Sequence, residues 1–364
     1  MPARQNPATI PNPDDNDVKR MLKPDETKMF HEAGEAADAI AGQLETNAAI
    51  VSELAARLRN APPRFIVTCA RGSSDHAATF GKYVFETQVG LMTASASPSI
   101  SSIYHARQRL DGALYIAISQ SGGSPDLVRA AQGAKQAGAH VVALVNVEDS
   151  PLAHAADTVV PLRAGPELSV AATKSYLCAL SALVHIAACW KGDDALLSAL
   201  RATPAAMRST WGMDWTSLVD GLVDANNLFV VGRGLGLGAA QEAALKLKET
   251  CGLHAEAFSS AEVKHGPMAI VGRGFPVLFL TQQDESFAGT REVAEEFAGR
   301  GAKVWVASPD PKQPHALTVA AAPHPVCAPL IAVQGFYKAA NALSIARGRN
   351  PDVPPHLNKV TKTV

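Results

Sequence analysis

Residues 119–126, SQSGGSPD, place Ser119, Gln120, Ser121 and Ser124 with two glycines between the apolar run ALYIAI and the helical pattern LVRAAQGAKQAG. Hydroxyls, a side-chain amide and bare backbone N–H groups at a helix start can enclose a phosphate without a lysine or arginine in the turn. The plainer reading is a helix N-cap flanked by ordinary turn serines. A second turn, CARGSSD (69–75), has the same strand-to-helix placement with Gly72, Ser73 and Ser74, so two polar turns can face one crevice. Farther along, EAALKLKE (242–249) spaces Glu242, Lys246 and Glu249 by four and three, on one helix face that excludes Lys248. Such a set is either a solvated surface pair or acid–base machinery. A nucleotide site is disfavoured, because GxxxxGK[ST] is absent and GRGLGLG (232–238) is not GxGxxG. No cluster has zinc-ligand spacing, so no metal or other cofactor is expected, and His185 in LVHIAACW reads as a core histidine.

These residues need a scaffold that brings strand ends together. RFIVTCA (64–70), GALYIAISQ (112–120) and AHVVALVN (139–146) are short, β-branched runs bounded by turn residues, with helical patterns between them. That pattern predicts buried parallel strands joined by crossover helices. NLFVVGRG, GFPVLFLTQ and AKVWVAS (227–234, 274–282, 302–308) repeat it about 162 residues later, which predicts two copies of one α/β unit. One or two amphipathic helices are expected near 26–58. A buried helix is expected in VAATKSYLCALSALVHIAACW, a connecting helical stretch in DDALLSALRATPAAMRSTW and a final helix in CAPLIAVQGFYKAANALSIARG. The expected organisation is a polar tail at 1–20, a first unit with its N-terminal helices at 21–200, a second at 201–345 and an irregular Pro-containing tail at 346–364.

Composition narrows the partners. Of 364 residues 47% are hydrophobic, enough for two buried cores, and 33 Lys and Arg against 34 Asp and Glu leave no basic excess for nucleic acid or an anionic membrane. The five cysteines show no CxxC spacing and sit in apolar runs, as free thiols in a reducing cytoplasm would. No signal-peptide core and no run near 18 apolar residues occurs, so a cytoplasmic protein is expected.

Five stretches, SQSGGSPD, ELSVAATKS (167–175), EAALKLKE, HAEAFSSAEVKHGP (254–267) and HLNKVTKTV (356–364), resemble in order the sugar-isomerase (SIS) family. Within it they are most similar to the isomerase half of glutamine–fructose-6-phosphate amidotransferase and to the stand-alone hexosamine-phosphate deaminases. The resemblance covers nearly everything from Met21 onward. It implies two doubly wound, flavodoxin-like SIS subdomains related as a pseudo-repeat, a homodimer, and a phosphorylated amino sugar bound between subdomains. It also assigns roles. Phosphate falls to Ser119, Gln120, Ser121 and Ser124, and sugar contacts to Ser73 and Ser74 and to the Val170–Ala172 stretch. Glu249 would move a proton between carbons 1 and 2 beside Lys246, His265 would open the ring from the partner subunit, and Lys359 would form a Schiff base with the open-chain ketose. Three departures stand out: Ala172 replaces a family serine, Gly123 stands where the amidotransferase has Glu, and the tail aligns only with a one-residue gap, which keeps Lys362 as the alternative to Lys359.

The chain reads Met1-Pro2, without the cysteine nucleophile of the amidotransferase glutaminase, so glutamine hydrolysis is not expected on it. The expected reaction is glucosamine 6-phosphate plus water giving fructose 6-phosphate plus ammonia. A fructosamine-6-phosphate deglycase or another amino-sugar-phosphate isomerase, and a non-catalytic phosphosugar sensor, are the alternatives.

Overall fold

The computed structural model describes residues 22–359. The N-terminal helical pattern is divided into three helices, α1 (Lys28–Gly34), α2 (Ala36–Thr46) and α3 (Ala48–Asn60), rather than one or two. Both breaks fall at polar residues with bonds elsewhere. Glu35 accepts from Lys174 Nζ at 2.6 Å, and Asn47 Nδ2 donates to Pro161 O at 2.7 Å. The breaks thereby fasten this helical layer to the first unit.

That unit runs β1 (Phe65–Cys69), α4 (Ser73–Val84), β2 (Thr93–Ser95), α5 (Pro98–Ser102), β3 (Ala113–Ser119), α6 (Pro125–Gln136), β4 (His140–Val145), α7 (Pro151–Ala155), β5 (Thr158–Pro161) and α8 (Lys174–Lys191). The second runs α9 (Asp194–Trp211), α10 (Thr216–Leu222), β6 (Asn227–Gly232), α11 (Leu235–Cys251), β7 (His254–Ser259), β8 (Pro276–Leu280), α12 (Phe287–Gly299), β9 (Lys303–Ser308), β10 (Ala316–Thr318) and α13 (Ala328–Ala346).

Each unit holds one parallel five-stranded sheet, ordered β2-β1-β3-β4-β5 and β10-β9-β8-β6-β7. Read from β7, the second order is the same doubly wound topology as the first, so the repeat expected from the apolar runs is a repeat of fold. The six runs are the three inner strands of each sheet. The four edge strands announce themselves less, being short or half exposed, as in β7, where His254 and Glu256 face solvent. The repeat extends to the turns: Gly72 and Gly234, each the N-cap before the helix that follows β1 or β6, both have φ of 55°, a region that L side chains rarely adopt.

The units share one core. Helices α8, α11 and α13 are buried nearly all round between the sheets, and α4 packs on α8 and α11. At the seam a Cβ on Gly238 of α11 would stand 2.5 Å from His76 O and 3.0 Å from Phe80 N, so α4 and α11 touch backbone to backbone. Cys69, Cys178, Cys251 and Cys327 are buried free thiols, and Cys189 is partly buried. Among the described residues no helix is long and apolar enough to cross a membrane.

Two expectations follow. Gly238→Ala should cost about 1–3 kcal/mol in urea unfolding, because the new methyl meets backbone and cannot be relieved by a rotamer change; an unchanged midpoint would show that the helices are not in contact there. His185 should make the protein acid-sensitive. Burial, assisted by the charge of Arg201, pushes its pKa down to about 4 from 6.5. The unfolded chain therefore binds a proton that the folded one refuses, and stability should fall by about 2 kcal/mol between pH 7 and pH 5 from this group. His185→Gln should lose that part of the slope.

Candidate functional site

The carboxyl ends of β1 and β3 open onto a cleft of about 340 Å³. Its walls are the 72–74 turn, the 119–124 turn, Val170 and Ala172 from the segment before α8, Glu249 from α11, and Lys359 from the C-terminal tail. Thus Ser73, Ser74, Ser119, Gln120, Ser121, Ser124, Val170, Ala172, Glu249 and Lys359, drawn from five stretches of chain, meet in one place. His265 does not line this cleft; it is exposed, after the short 3-10 turn Glu262–Lys264 that follows β7. Lys362 lies outside the described residues.

The 119–124 turn is built with donors to spare. Gly122, at φ 62°, admits no side chain, since a Cβ there would fall 2.1 Å from Ser150 Oγ. Its N–H donates to Ser119 Oγ at 3.0 Å, which leaves the Ser119 hydroxyl proton for a ligand. Ser124 is the N-cap of α6, but its side chain makes no capping bond, so its hydroxyl is not used in capping the helix. The equivalent turn of the second unit is chemically closed. There Asp284 accepts from Ser286 N at 2.9 Å, Ser286 Oγ at 2.6 Å and Gln282 Nε2 at 3.0 Å, so an internal carboxylate consumes the donors.

Below the cleft lies a buried ionic cluster on the face of α11 that touches α4. Glu242 and Lys246 side chains have 0% exposure, whereas Glu249 has 22%, so of the three only Glu249 reaches the ligand space. Lys246 Nζ lies 3.4 Å from Glu242 Oε1, donates to Ser73 Oγ at 3.1 Å, and donates to Glu249 Oε2. Glu242 also accepts from Ser73 Oγ at 3.2 Å and from Tyr337 OH of α13 at 2.8 Å. His76 Nδ1 is 3.1 Å from its other oxygen; an ionised carboxylate only accepts, so that nitrogen carries the hydrogen. Burial pushes the Glu242 carboxyl up, but the Lys246 charge and the bonds from His76 and Tyr337 outweigh it and hold the group below the usual range. For Lys246 burial acts downward, and the two glutamates win, raising the ammonium above its ordinary value. The cluster is therefore a fixed cation between two carboxylates, one sealed and one facing the cleft. Glu249 has no other hydrogen-bond partner among the described residues, which leaves an oxygen for a ligand proton.

Lys359 enters from the opposite side, donating to Ser169 O at 2.7 Å and to Glu167 Oε2 at 3.2 Å. Glu167 is buried and also accepts from Thr173 N, Ser175 N and Ser175 Oγ at 3.0, 3.1 and 2.7 Å, so it orders the start of α8 and anchors the tail lysine together. The tail reaches this position because Asp352 accepts from Lys28 N and Met29 N of α1, both at 2.8 Å, while its carbonyl takes the Val170 N–H at 3.2 Å. Glu167 lies within one of the five motif stretches without a role that its sequence context marks, and His76, Tyr337 and Arg71 lie outside the residues that the motifs single out. The signal for Arg71 was a lone cation beside the Ser73 turn; for His76 and Tyr337 there was none, because their importance comes from a carboxylate that is far away in sequence.

The SIS domain family model matches residues 59–188 and 221–333. The glutamine–fructose-6-phosphate aminotransferases (isomerizing) of Sulfurisphaera tokodaii and Symbiobacterium thermophilum are 30% and 32% identical, in matches that cover 91% of this chain in both cases and 55% and 58% of those proteins. The chain thus spans a little over half the length of these relatives. Among solved structures, a protein assigned as a phosphosugar isomerase from Silicibacter pomeroyi superposes with a TM-score of 0.85 at 41% identity, covering 90% of this chain and 100% of that one. The C-terminal domain of glucosamine-fructose-6-phosphate aminotransferase from Francisella tularensis gives 0.81 at 25% identity, over 90% and 98% of the two chains. With both halves of the repeat matched by the family model, and the relatives aligned across nine-tenths of its length, the chain belongs to the SIS domain family.

Proposed function

We propose that the chain is a phosphosugar-transforming enzyme that converts glucosamine 6-phosphate and water to fructose 6-phosphate and ammonia. The observation that carries this reading is the union, in one cleft, of a donor-rich turn suited to a phosphate and a partly exposed carboxylate backed by a buried ammonium. The names of the relatives join an amino group, fructose 6-phosphate and isomerisation. With water as the second reactant the same acid–base chemistry releases ammonia.

In the proposed sequence the 119–124 turn holds the phosphate, and Ser73 and Ser74 meet the sugar hydroxyls. His265 of a partner subunit assists ring opening in a homodimer. Glu249 removes the proton on carbon 2 and returns it to carbon 1, so one C–H bond breaks and another forms while the aldehyde and amine become a hydroxymethyl group and an imine. Water then adds to the imine carbon, the carbon–nitrogen bond breaks and ammonia leaves. Lys246 keeps a compensating positive charge beside Glu249 throughout. Lys359, once released from Glu167 and the Ser169 carbonyl, would be the amine that condenses with the open-chain ketose.

Glu249→Gln should retain binding of fructose 6-phosphate in calorimetry and lower turnover at least about a hundredfold; near wild-type turnover would remove Glu249 from the mechanism. Ammonia and ketose should appear together from glucosamine 6-phosphate, whereas release of an amino acid from a fructosamine 6-phosphate, with no ammonia, would favour the deglycase reaction. Assembly is tested by mixing. Subunits carrying Glu249→Gln and His265→Ala, allowed to exchange in equal amounts, should regain about a quarter of the wild-type sites, since each mixed dimer has one site with both defects and one with neither. Verified exchange without recovery would rule out the action of His265 across the interface.

A further inference from the structure

The 119–124 turn contains no cation, yet among the described residues two line the cleft it faces. Lys359 is bound on the side of Glu167. Arg71, two residues beyond the end of β1, is bound on the side of the turn: its Nε and Nη2 donate to Asp126 Oδ2 at 3.2 and 2.9 Å. Asp126 has 0% side-chain exposure and lies in the first turn of α6, two residues beyond Ser124. The guanidinium is therefore fastened to the helix whose N-terminus the serine turn opens, and not to the Glu249 cluster. Its side chain is half exposed, and its third nitrogen has no partner among the described residues. An arginine held this way loses little further freedom on taking a ligand oxygen, and its planar donor fork suits phosphate better than a lysine does.

We propose that Arg71 is a phosphate-binding residue of this cleft, positioned by Asp126, and that it makes the cleft selective for phosphorylated over unphosphorylated sugars. This rests on reading the cleft as a phosphosugar site. The neutral donors of the turn give the phosphate its geometry, and Arg71 gives it a counter-charge. Among the described residues, the charged groups around the guanidinium are Asp126 on α6 and Asp75 on α4, with Glu249 and Lys359 farther along the cleft wall.

The test is calorimetric binding of inorganic phosphate, fructose 6-phosphate and fructose to the whole chain, with melting temperatures to verify folding. Arg71→Ala should weaken phosphate and fructose 6-phosphate by about ten- to a hundredfold, as expected for a charge-assisted bond, while leaving the weak binding of fructose unchanged. In turnover the loss should fall on KM rather than kcat, and Arg71→Lys should recover part of it. Asp126→Asn should weaken phosphate binding when Arg71 is present and add nothing in the Arg71→Ala background, an outcome that general damage to the helix would not give. Folded Arg71→Ala binding phosphate as tightly as wild type, or Asp126→Asn costing the same with and without Arg71, overturns the proposal. If the wild type binds neither phosphate nor fructose 6-phosphate, the reading of the cleft itself falls; if it binds them and Arg71→Ala does so equally, only the role of Arg71 does.

Discussion

A carboxylate with no exposure to water must have its charge answered by the protein, and Glu242 sets that demand at the centre of this molecule. Lys246 answers it from the same helix, Ser73 and His76 from α4, and Tyr337 from α13. Those bonds require α4 and α11 to lie in backbone contact, which is why glycine occupies position 238, one helical turn before Glu242. The consequence reaches the surface. Ser73 opens α4 immediately after Gly72, so the contact that satisfies Glu242 also draws the first unit's polar turn over the α11 face that carries Glu249. The cleft lies at the seam between the two units because the buried charge lies there.

The internal repeat shows how one topology supports unequal ends. Both sheets share a strand order, both first helices begin after a left-handed glycine, and both third strands feed a polar turn into a helix. In the first unit that turn has glycine where the chain must approach Ser150, and it leaves hydroxyl and amide donors open. In the second, Asp284 takes up the donors of its own turn. A single carboxylate separates a turn that can receive an anion from one that already contains its own.

Carboxylates also fasten the other wall. Asp352 ties the tail to α1, Glu167 ties it to the start of α8, and Glu32 of α1 accepts from Ser169 N at 3.2 Å and from the Ser169 hydroxyl. Segment 167–173 has no regular structure, yet it is held as firmly as a helix end because its backbone donors meet buried acceptors. Val170 and Ala172 are presented to the cleft by this framework, and the tail lysine depends on it.

Much of this was legible in the residues alone. The inner strands were visible because a strand covered on both faces must be a continuous apolar run, and the repeat was visible because those runs recur at one spacing. The serine turns could be singled out because two polar strand-to-helix turns recur, and Glu249 and Lys359 because ordered motifs resemble a known family. The edge strands β2, β5, β7 and β10 stayed hidden, since a short or half-exposed strand carries no strong apolar signature. The sequence also left open whether Glu242, Lys246 and Glu249 were a surface pair or a buried site. Spacing determines which residues share a helix face, but only the packing of α4 and α13 against that face decides how much water reaches each carboxylate. Burial sealed Glu242, left Glu249 partly open and placed Arg71 beside a carboxylate 55 residues away. Those outcomes depend on contacts between distant segments, which no local pattern of residues encodes.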